Sequence, residues 1–434
     1  MNFTEAEEYL FNIPRFTTKN EPEKTREFLE ELGDFSKDIP TVHVAGTNGK
    51  GSVCAYLRAG LNACGQTVGL FTSPHLVNTR ERFMIDGEMI SEREFVNVFE
   101  YVMESLKLFR QKNGNREYHP TFFEYLFFMA AVWFKSKRPD FIVLETGLGG
   151  RLDATNAIAS PVLCAITEIG LDHCEYLGDT KEKIAFEKAG IIKTGVPVVY
   201  VNRKEGYEGV IERKAKECDA RYYSVSKDII KSFESKGSGI DFLAYSLYDE
   251  IAKISLNTRA LYQIENACVA YRALEVLSES FPEKIDVNTA VKGFESMTWP
   301  GRFETLKSGV IIDGAHNEDG IKAFLNTVKA QKDDRRVLLY SAVSDKDVNL
   351  VSKLIIDSNL FDWFYVCVLD SYRAMGLDGL KEAFKSAKNV KFYESVKEGY
   401  GEMVRENSGN LAMFAAGSLY LVGELKALTG EFYD

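Results

Sequence analysis

Thr41-Val42-His43-Val44-Ala45 runs straight into Gly46-Thr47-Asn48-Gly49-Lys50-Gly51-Ser52, and a helix-period segment follows to Cys64. No other feature constrains the fold as much. Thr41 to Ala45 reads as a short strand, and the continuous apolar runs Phe141 to Leu144 and Val162 to Ile169 suit burial on both faces, which points to a mainly parallel sheet with helices on either side. Glycines let backbone N–H groups curl around an anion, the helix N-terminus adds partial positive charge, and Lys50 adds a full one. The usual phosphate loop has four residues between its glycines and Ser or Thr directly after Lys. Here two residues separate Gly46 from Gly49, and Gly51 precedes Ser52. A tight turn with an exposed lysine is the plain alternative.

Apolar runs and helix-period segments then alternate along most of the chain. Val68 to Thr72, Phe141 to Leu144 and Val162 to Ile169 are expected strands, and Phe83 to Ile90 is a hairpin turning at Asp86-Gly87. Helices are expected at about 91–111, 121–136, 181–193 and 263–279. The stretch from about 222 to 258 alternates around Gly237-Ser238-Gly239 and predicts a small antiparallel patch. Trp299-Pro300-Gly301 interrupts regular structure, and strands resume at 310–312, 337–340, 363–368 and 411–415. The expected fold class is α/β. It comprises a large P-loop domain (1–297) with a mainly parallel sheet plus the small antiparallel β patch, a hinge at 298–301, and a smaller Rossmann-like α/β C-terminal domain (302–434).

Composition narrows the partners. Fifty-three Lys and Arg against 64 Asp and Glu leave the 434-residue chain at −11, the wrong sign for a nucleic-acid or membrane-surface binder. The longest apolar run, Tyr125 to Phe134, is half the ~20 residues a membrane span needs. Met1 to Glu8 is acidic and lacks the apolar core of a signal peptide. Seven scattered cysteines with no Cys-x-x-Cys are expected to be buried, reduced thiols. A soluble, cytoplasmic protein is expected.

The glycine loop resembles the ATP loop of the Mur ligase superfamily, and its form after His43-Val44-Ala45 is similar to that of the folylpolyglutamate synthase/dihydrofolate synthase family. The likeness recurs in order from about residue 40 to 425. It includes Thr72-Ser73-Pro74-His75-Leu76, Glu145 to Asn156, Leu171-Asp172-His173, Glu187 to Lys193, Trp299 to Arg302, Asp313 to Asn317 and Ser344-Asp345-Lys346-Asp347. Each motif is weak alone. Their order and spacing together are specific.

The resemblance implies ATP, two Mg²⁺ ions and, as a further candidate, K⁺. Thr47, Asn48, Gly49, Lys50, Gly51 and Ser52 would cradle the phosphates, and Asn266 would contact adenine, with Tyr262 standing where the family often has His. Ser73, Glu145 and His173 match magnesium ligands. Lys188 matches a lysine that carries CO₂ as a carbamate and binds a second ion; left unmodified, a lysine in so charged a segment is by default solvated. Arg302 would reach the phosphates from the second domain, where its planar fork suits bidentate binding; an interdomain salt bridge is its ordinary alternative. Asp313 and His316 would line the nucleotide or the incoming glutamate, with His316 as the base. Ser73, Pro74, His75 and Arg82 fall in the folate loop, beside Phe122-Phe123. Lys346 and Ser418 are candidates for the amino-acid carboxylate, and helix capping competes for Ser418 and Asp347.

The implied reaction is ATP-dependent addition of L-glutamate to folate, or to dihydropteroate, by a monomer, through an acyl phosphate. A cell-wall Mur ligase is a rival, but only about 40 residues precede the loop, too few for a separate nucleotide-sugar domain. A non-catalytic ATP-binding partner is the other rival. Lys50, Glu145, His173 and Arg302 together argue against it.

Overall fold

In a computed structural model, residues 1–13, 20–112, 118–248, 250–333, 335–344, 346–407 and 411–431 are described; Asp345 lies outside them. The apolar runs assemble into two sheets. The larger has eight strands in the order Glu88–Met89, Phe83–Ile85, Val68–Phe71, Phe141–Glu145, Thr41–Ala45, Leu163–Ile166, Val198–Val201 and Tyr222–Val225. Every neighbour from Val68–Phe71 onward pairs in parallel; the hairpin strands alone are antiparallel. Thr41–Ala45 is buried at every residue, as a strand covered on both faces must be. Helices Lys50–Ala63 and Gln263–Ser280 pack on one face, and Glu92–Lys112 and Phe122–Lys137 on the other. The hairpin turns at Asp86 and Gly87, both with positive φ (53° and 95°), as a tight two-residue turn demands.

The second sheet has six strands in the order Arg302–Thr305, Val310–Asp313, Ala412–Ala416, Arg336–Tyr340, Trp363–Cys367 and Val390–Tyr393. Only the edge strand Arg302–Thr305 is antiparallel. Two hydrophobic clusters lie on either side of this sheet, and they also take in Ala260, with Tyr262 and Leu76 packed against them, which joins the second lobe to the first.

Several expectations need correction. The antiparallel patch spans Ile230–Lys236, Gly239–Tyr245 and Ile251–Leu256; Tyr222–Val225 instead ends the large sheet. That strand alternates because it is an edge strand, exposed on one side. The charged helix stops at Ala189, before Gly190, and does not run on to 193. Helices Phe3–Asn12 and Pro22–Leu32 precede the first strand, capped by Asn2 and opened by Pro22. All seven cysteines are free thiols, but Cys174 is exposed and Cys64 half-buried, so two of them are not core residues. Among the described residues no helix is long and apolar enough to cross a membrane.

Candidate active site

The parallel strands of the large sheet, Val68–Phe71 through Tyr222–Val225, deliver their carboxyl ends to one side, and the site lies there, between the lobes. The cavity is about 1130 Å³ and takes its wall from both lobes: Gly46 to Gly51, Glu145 and Lys188 from the first, Arg302, His316 and Lys346 from the second.

The glycine loop is built for close approach. Gly46 has φ +155° and Gly49 φ +86°, and a Cβ on either would lie 1.8 Å from Thr167 Oγ1 or 2.2 Å from Asn266 Oδ1. The loop is anchored by Thr47 N donating to Glu168 O (2.7 Å) and Thr167 Oγ1 donating to Asn48 O (2.6 Å). Lys50 Nζ folds back onto Gly46 O (3.1 Å) and Thr47 O (3.2 Å) and stands 4.0 Å from Glu145. Glu145 ends its strand inside the protein and accepts from Ser73 N (3.1 Å). Burial pushes its carboxyl up to about 6, against the pull of Lys50. The Ser73–Pro74 peptide is cis, and Ser73, Pro74 and His75 line the cavity with Arg82, whose Nε donates to His75 Nδ1 (2.9 Å).

Lys188 is not the solvated lysine its neighbours lead one to expect. It is buried, and Nζ donates to Gly46 O at 2.6 Å. Burial, then the Lys50 charge, push its ammonium well below the ordinary range. The signal was present: Ile184, Ala185, Lys188 and Ala189 form the buried stripe of a helix whose other faces are charged. The helix lies hard against Gly150, where a Cβ would meet Glu187 O and Lys188 O, both at 2.9 Å. His173 sits in the left-handed region (φ 51°) at the start of a short helix, and burial, then Lys346, lower it to about 4, leaving a neutral ring.

Arg302 faces the cavity. The strand that begins with it pairs with Val310–Asp313 through a bulge, and its guanidinium lies across Gly314, where a Cβ would meet Nη1 at 2.3 Å. Ser52, Asn266 and Asp313 stand behind the wall. Ser52 Oγ accepts from Gln263 (3.1 Å), and Asn266 donates to Gln263 (2.9 Å). Asp313 is buried and accepts from Tyr262 OH (2.6 Å), Phe303 N (3.0 Å) and Ala315 N (2.8 Å). Ser418 caps its helix through Tyr420 N (3.0 Å) while also lining the cavity, and Asp347 caps another through Leu350 N (3.0 Å).

Two polar residues on the cavity wall carried no role from the sequence, and the first ties the lobes together. Asp172, quoted above only as part of a motif, accepts from Lys346 Nζ and from Asn317 Nδ2 (3.1 Å), and lies 3.6 Å from His316 Nε2. Burial opposes its charge, but the His316 hydrogen bond and Lys346 outweigh it and hold the carboxyl well below the usual range. Asn317 also donates to Asn48 Oδ1 (3.0 Å), joining the second lobe to the glycine loop. Arg373 is the other; it lies over the Tyr420 ring beside Lys346 and Ser418.

The donor set suits a hard divalent cation. Glu145 offers a buried carboxylate and Ser73 a hydroxyl, beside the phosphate-cradling loop. Among the described residues no three His, Cys, Asp or Glu side chains form a protein-only cage. Mg²⁺ bound through one or two side chains, water and substrate phosphates does not need one.

Fold and site thus define a class: a two-lobed protein with a glycine-rich strand-to-helix loop that opens on a cavity lined by both lobes. The description "Mur ligase middle domain" matches residues 44–274, and "Mur ligase, glutamate ligase domain" matches 301–419. A dihydrofolate synthase/folylpolyglutamate synthase of Bacillus subtilis (strain 168) is 32% identical over 98% of both chains. A folylpolyglutamate synthase of Lacticaseibacillus casei is 31% identical over 80% of this chain and 81% of its own. Among solved structures, Mycobacterium tuberculosis folylpolyglutamate synthase complexed with ADP superposes with TM-score 0.89 at 28% identity, covering 99% of this chain and 98% of that one. An FPGS–AMPPCP–folate complex superposes with TM-score 0.85 at 27% identity over 99% of both. The chain belongs to the Mur ligase family, in its dihydrofolate synthase/folylpolyglutamate synthase branch.

Proposed function

We propose that this protein is an ATP-dependent ligase that joins the amine of L-glutamate to the γ-carboxylate of a folate. The observation that carries the reading is the single cavity shared by the Gly46 to Gly51 loop and Arg302 of the opposite lobe. Relatives of this branch are described with ADP, with AMPPCP and with folate, which supports a nucleotide and a folate in the same cleft.

A carboxylate does not form an amide unaided, because oxide is a poor leaving group. Phosphorylation of the γ-carboxylate by ATP gives an acyl phosphate, and attack by the glutamate amine expels phosphate. Lys50 and Arg302 neutralise the charge that grows on the transferred group, where most catalysis of phosphoryl transfer originates. Glu145, Ser73 and His173 would hold Mg²⁺, and carbamylated Lys188 a second ion; their chemistry is charge neutralisation and orientation of the phosphates. Lys188 is suited to carbamylation because its buried amine is biased toward the neutral, nucleophilic form.

His316 is placed to take the amine proton. Its Nδ1–H donates to Gly314 O (2.8 Å), so Nε2 is the nitrogen that takes up the proton, and the Asp172 carboxylate 3.6 Å away stabilises the imidazolium that forms. Lys346 and Ser418, with Arg373 beside them, would receive the amino acid's carboxylates. Closure of lobes 1–297 and 302–434 about residues 298–301 assembles these groups. The protein works as a cytoplasmic monomer.

The test is phosphate release in the presence of ATP and Mg²⁺, with tetrahydrofolate and dihydropteroate offered in parallel with labelled glutamate. A ligase releases phosphate only when acceptor and glutamate are both present. Release independent of glutamate would refute the reading. Incorporation into dihydropteroate would add the dihydrofolate synthase reaction named for the Bacillus subtilis relative.

A further inference from the structure

Arg26 and Lys193 stand together in a part of the cavity wall built from the first lobe alone. Arg26 comes from helix Pro22–Leu32, and Lys193 from the segment after helix Lys181–Ala189. Each head group has a main-chain oxygen as partner: Arg26 Nη2 donates to Ile158 O at 3.3 Å, and Lys193 Nζ to Asn156 O at 3.0 Å. Neither is ion-paired among the described residues. Asp34, whose charge reaches Lys193, is engaged elsewhere, accepting from Ser36 N (2.9 Å), Ser36 Oγ (2.7 Å) and Ala159 N (3.2 Å). Glu23, also on the wall, is exposed.

The arrangement is unfavourable as it stands. Burial, and then the Arg26 charge, push the Lys193 ammonium below its ordinary range. Two like charges held in a half-buried wall repel, and an oxyanion between them replaces that repulsion with charge-assisted hydrogen bonds. Arg26 lies outside both matched domains, 44–274 and 301–419. Lys193 lies within the first of them, so the pair is read from the geometry of this cavity.

We propose that Arg26 and Lys193 form an anion subsite that takes a carboxylate of an acceptor already carrying γ-linked glutamates. The inference rests on the ligase reading above. The γ-carboxylate under attack must lie beside Lys50, so every earlier glutamate leaves its α-carboxylate further back along the cavity. A cationic pair in the wall then favours the extended acceptor over the short one. Free phosphate shares this oxyanion chemistry and is the other source of an occupant.

The test measures equilibrium binding of pteroylmonoglutamate, pteroyltri-γ-glutamate and inorganic phosphate to the wild-type chain and to an Arg26→Gln/Lys193→Gln double variant. Wild type is expected to bind the triglutamate about tenfold or more tightly than the monoglutamate. The double variant should lose most of that preference, keep monoglutamate and ATP-analogue binding within about twofold, and melt no lower than wild type, since a repulsion is removed. Arg26→Lys should retain the preference. Phosphate that competes with the triglutamate in wild type alone supports the same site with a free anion as occupant. No preference in wild type, or one that survives in the double variant, overturns the proposal. Should wild type bind neither pteroyl compound, the ligase reading falls by itself. The subsite is then judged by phosphate: binding to wild type only supports it, and equal binding to both proteins overturns it.

Discussion

Glu145 shows what a single side chain gives up for the site. Its carboxyl is raised to about 6 from an ordinary 4.5, chiefly by burial. The folded state therefore holds the proton more tightly than the unfolded state. The associated stability is whole below pH 4.5 and is lost as pH rises through about 6. That gap corresponds to about 2 kcal/mol. Glu145→Gln should thus raise the melting temperature by a few degrees at pH 7.5 and little at pH 4, measured without nucleotide or divalent cation, while ligase turnover falls at least ~100-fold. Equal melting of the two proteins at both pH values would falsify the burial argument. Lys50→Ala should cut ATP turnover by ~100-fold or more with the fold intact by circular dichroism, because the lysine's hydrogen bonds go to loop carbonyls and its buried neighbour Glu145 can take up a proton once the cation is gone. A variant that hydrolyses ATP at the wild-type rate removes Lys50 from the mechanism.

Among the elements, helix Lys181–Ala189 carries the consequence. It holds Lys188 against the glycine loop only because Gly150 lets its backbone come close. Gly150→Ala adds one methyl against two main-chain carbonyls that cannot rotate away. The expected cost is about 1–3 kcal/mol in stability, read by urea denaturation, with a larger proportional loss of activity as Lys188 shifts. Activity unchanged at unchanged stability would mean the helix has room to move. The elements were mostly legible. Continuous apolar runs marked the parallel strands, and Asp86-Gly87 marked the hairpin turn. Legibility failed at the edges. Tyr222–Val225 is exposed on part of its length and Val390–Tyr393 is half-buried throughout, so their pattern does not separate them from loop or patch. The buried side of Lys188 escaped because formal charge outweighed the apolar stripe it lies on.

At the scale of the whole molecule, Asp172 is the hinge-spanning group. One carboxylate of the first lobe holds Lys346, Asn317 and His316 of the second. Asp172→Asn removes the charge that keeps Lys346 paired and should weaken closure. Small-angle scattering should show a larger radius of gyration in the variant without ligands, and KM for glutamate should change by about tenfold or more, since the same lysine is a candidate for its carboxylate. Identical scattering curves would show that other interlobe contacts, such as Asn317 to Asn48, suffice.

What the sequence determined by itself is local and repetitive: which runs become buried strands, where the glycine loop must turn, and which motifs follow one another in order. These follow from backbone sterics and apolar periodicity, which act over a few residues. The tertiary structure alone decided which charges meet. Asp172 faces residues more than 140 positions away, Arg302 shares a cavity with a loop some 250 positions before it, and Arg26 stands beside Lys193. Electrostatic partnership depends on distance in space and on burial, and neither is encoded in the spacing of residues along the chain.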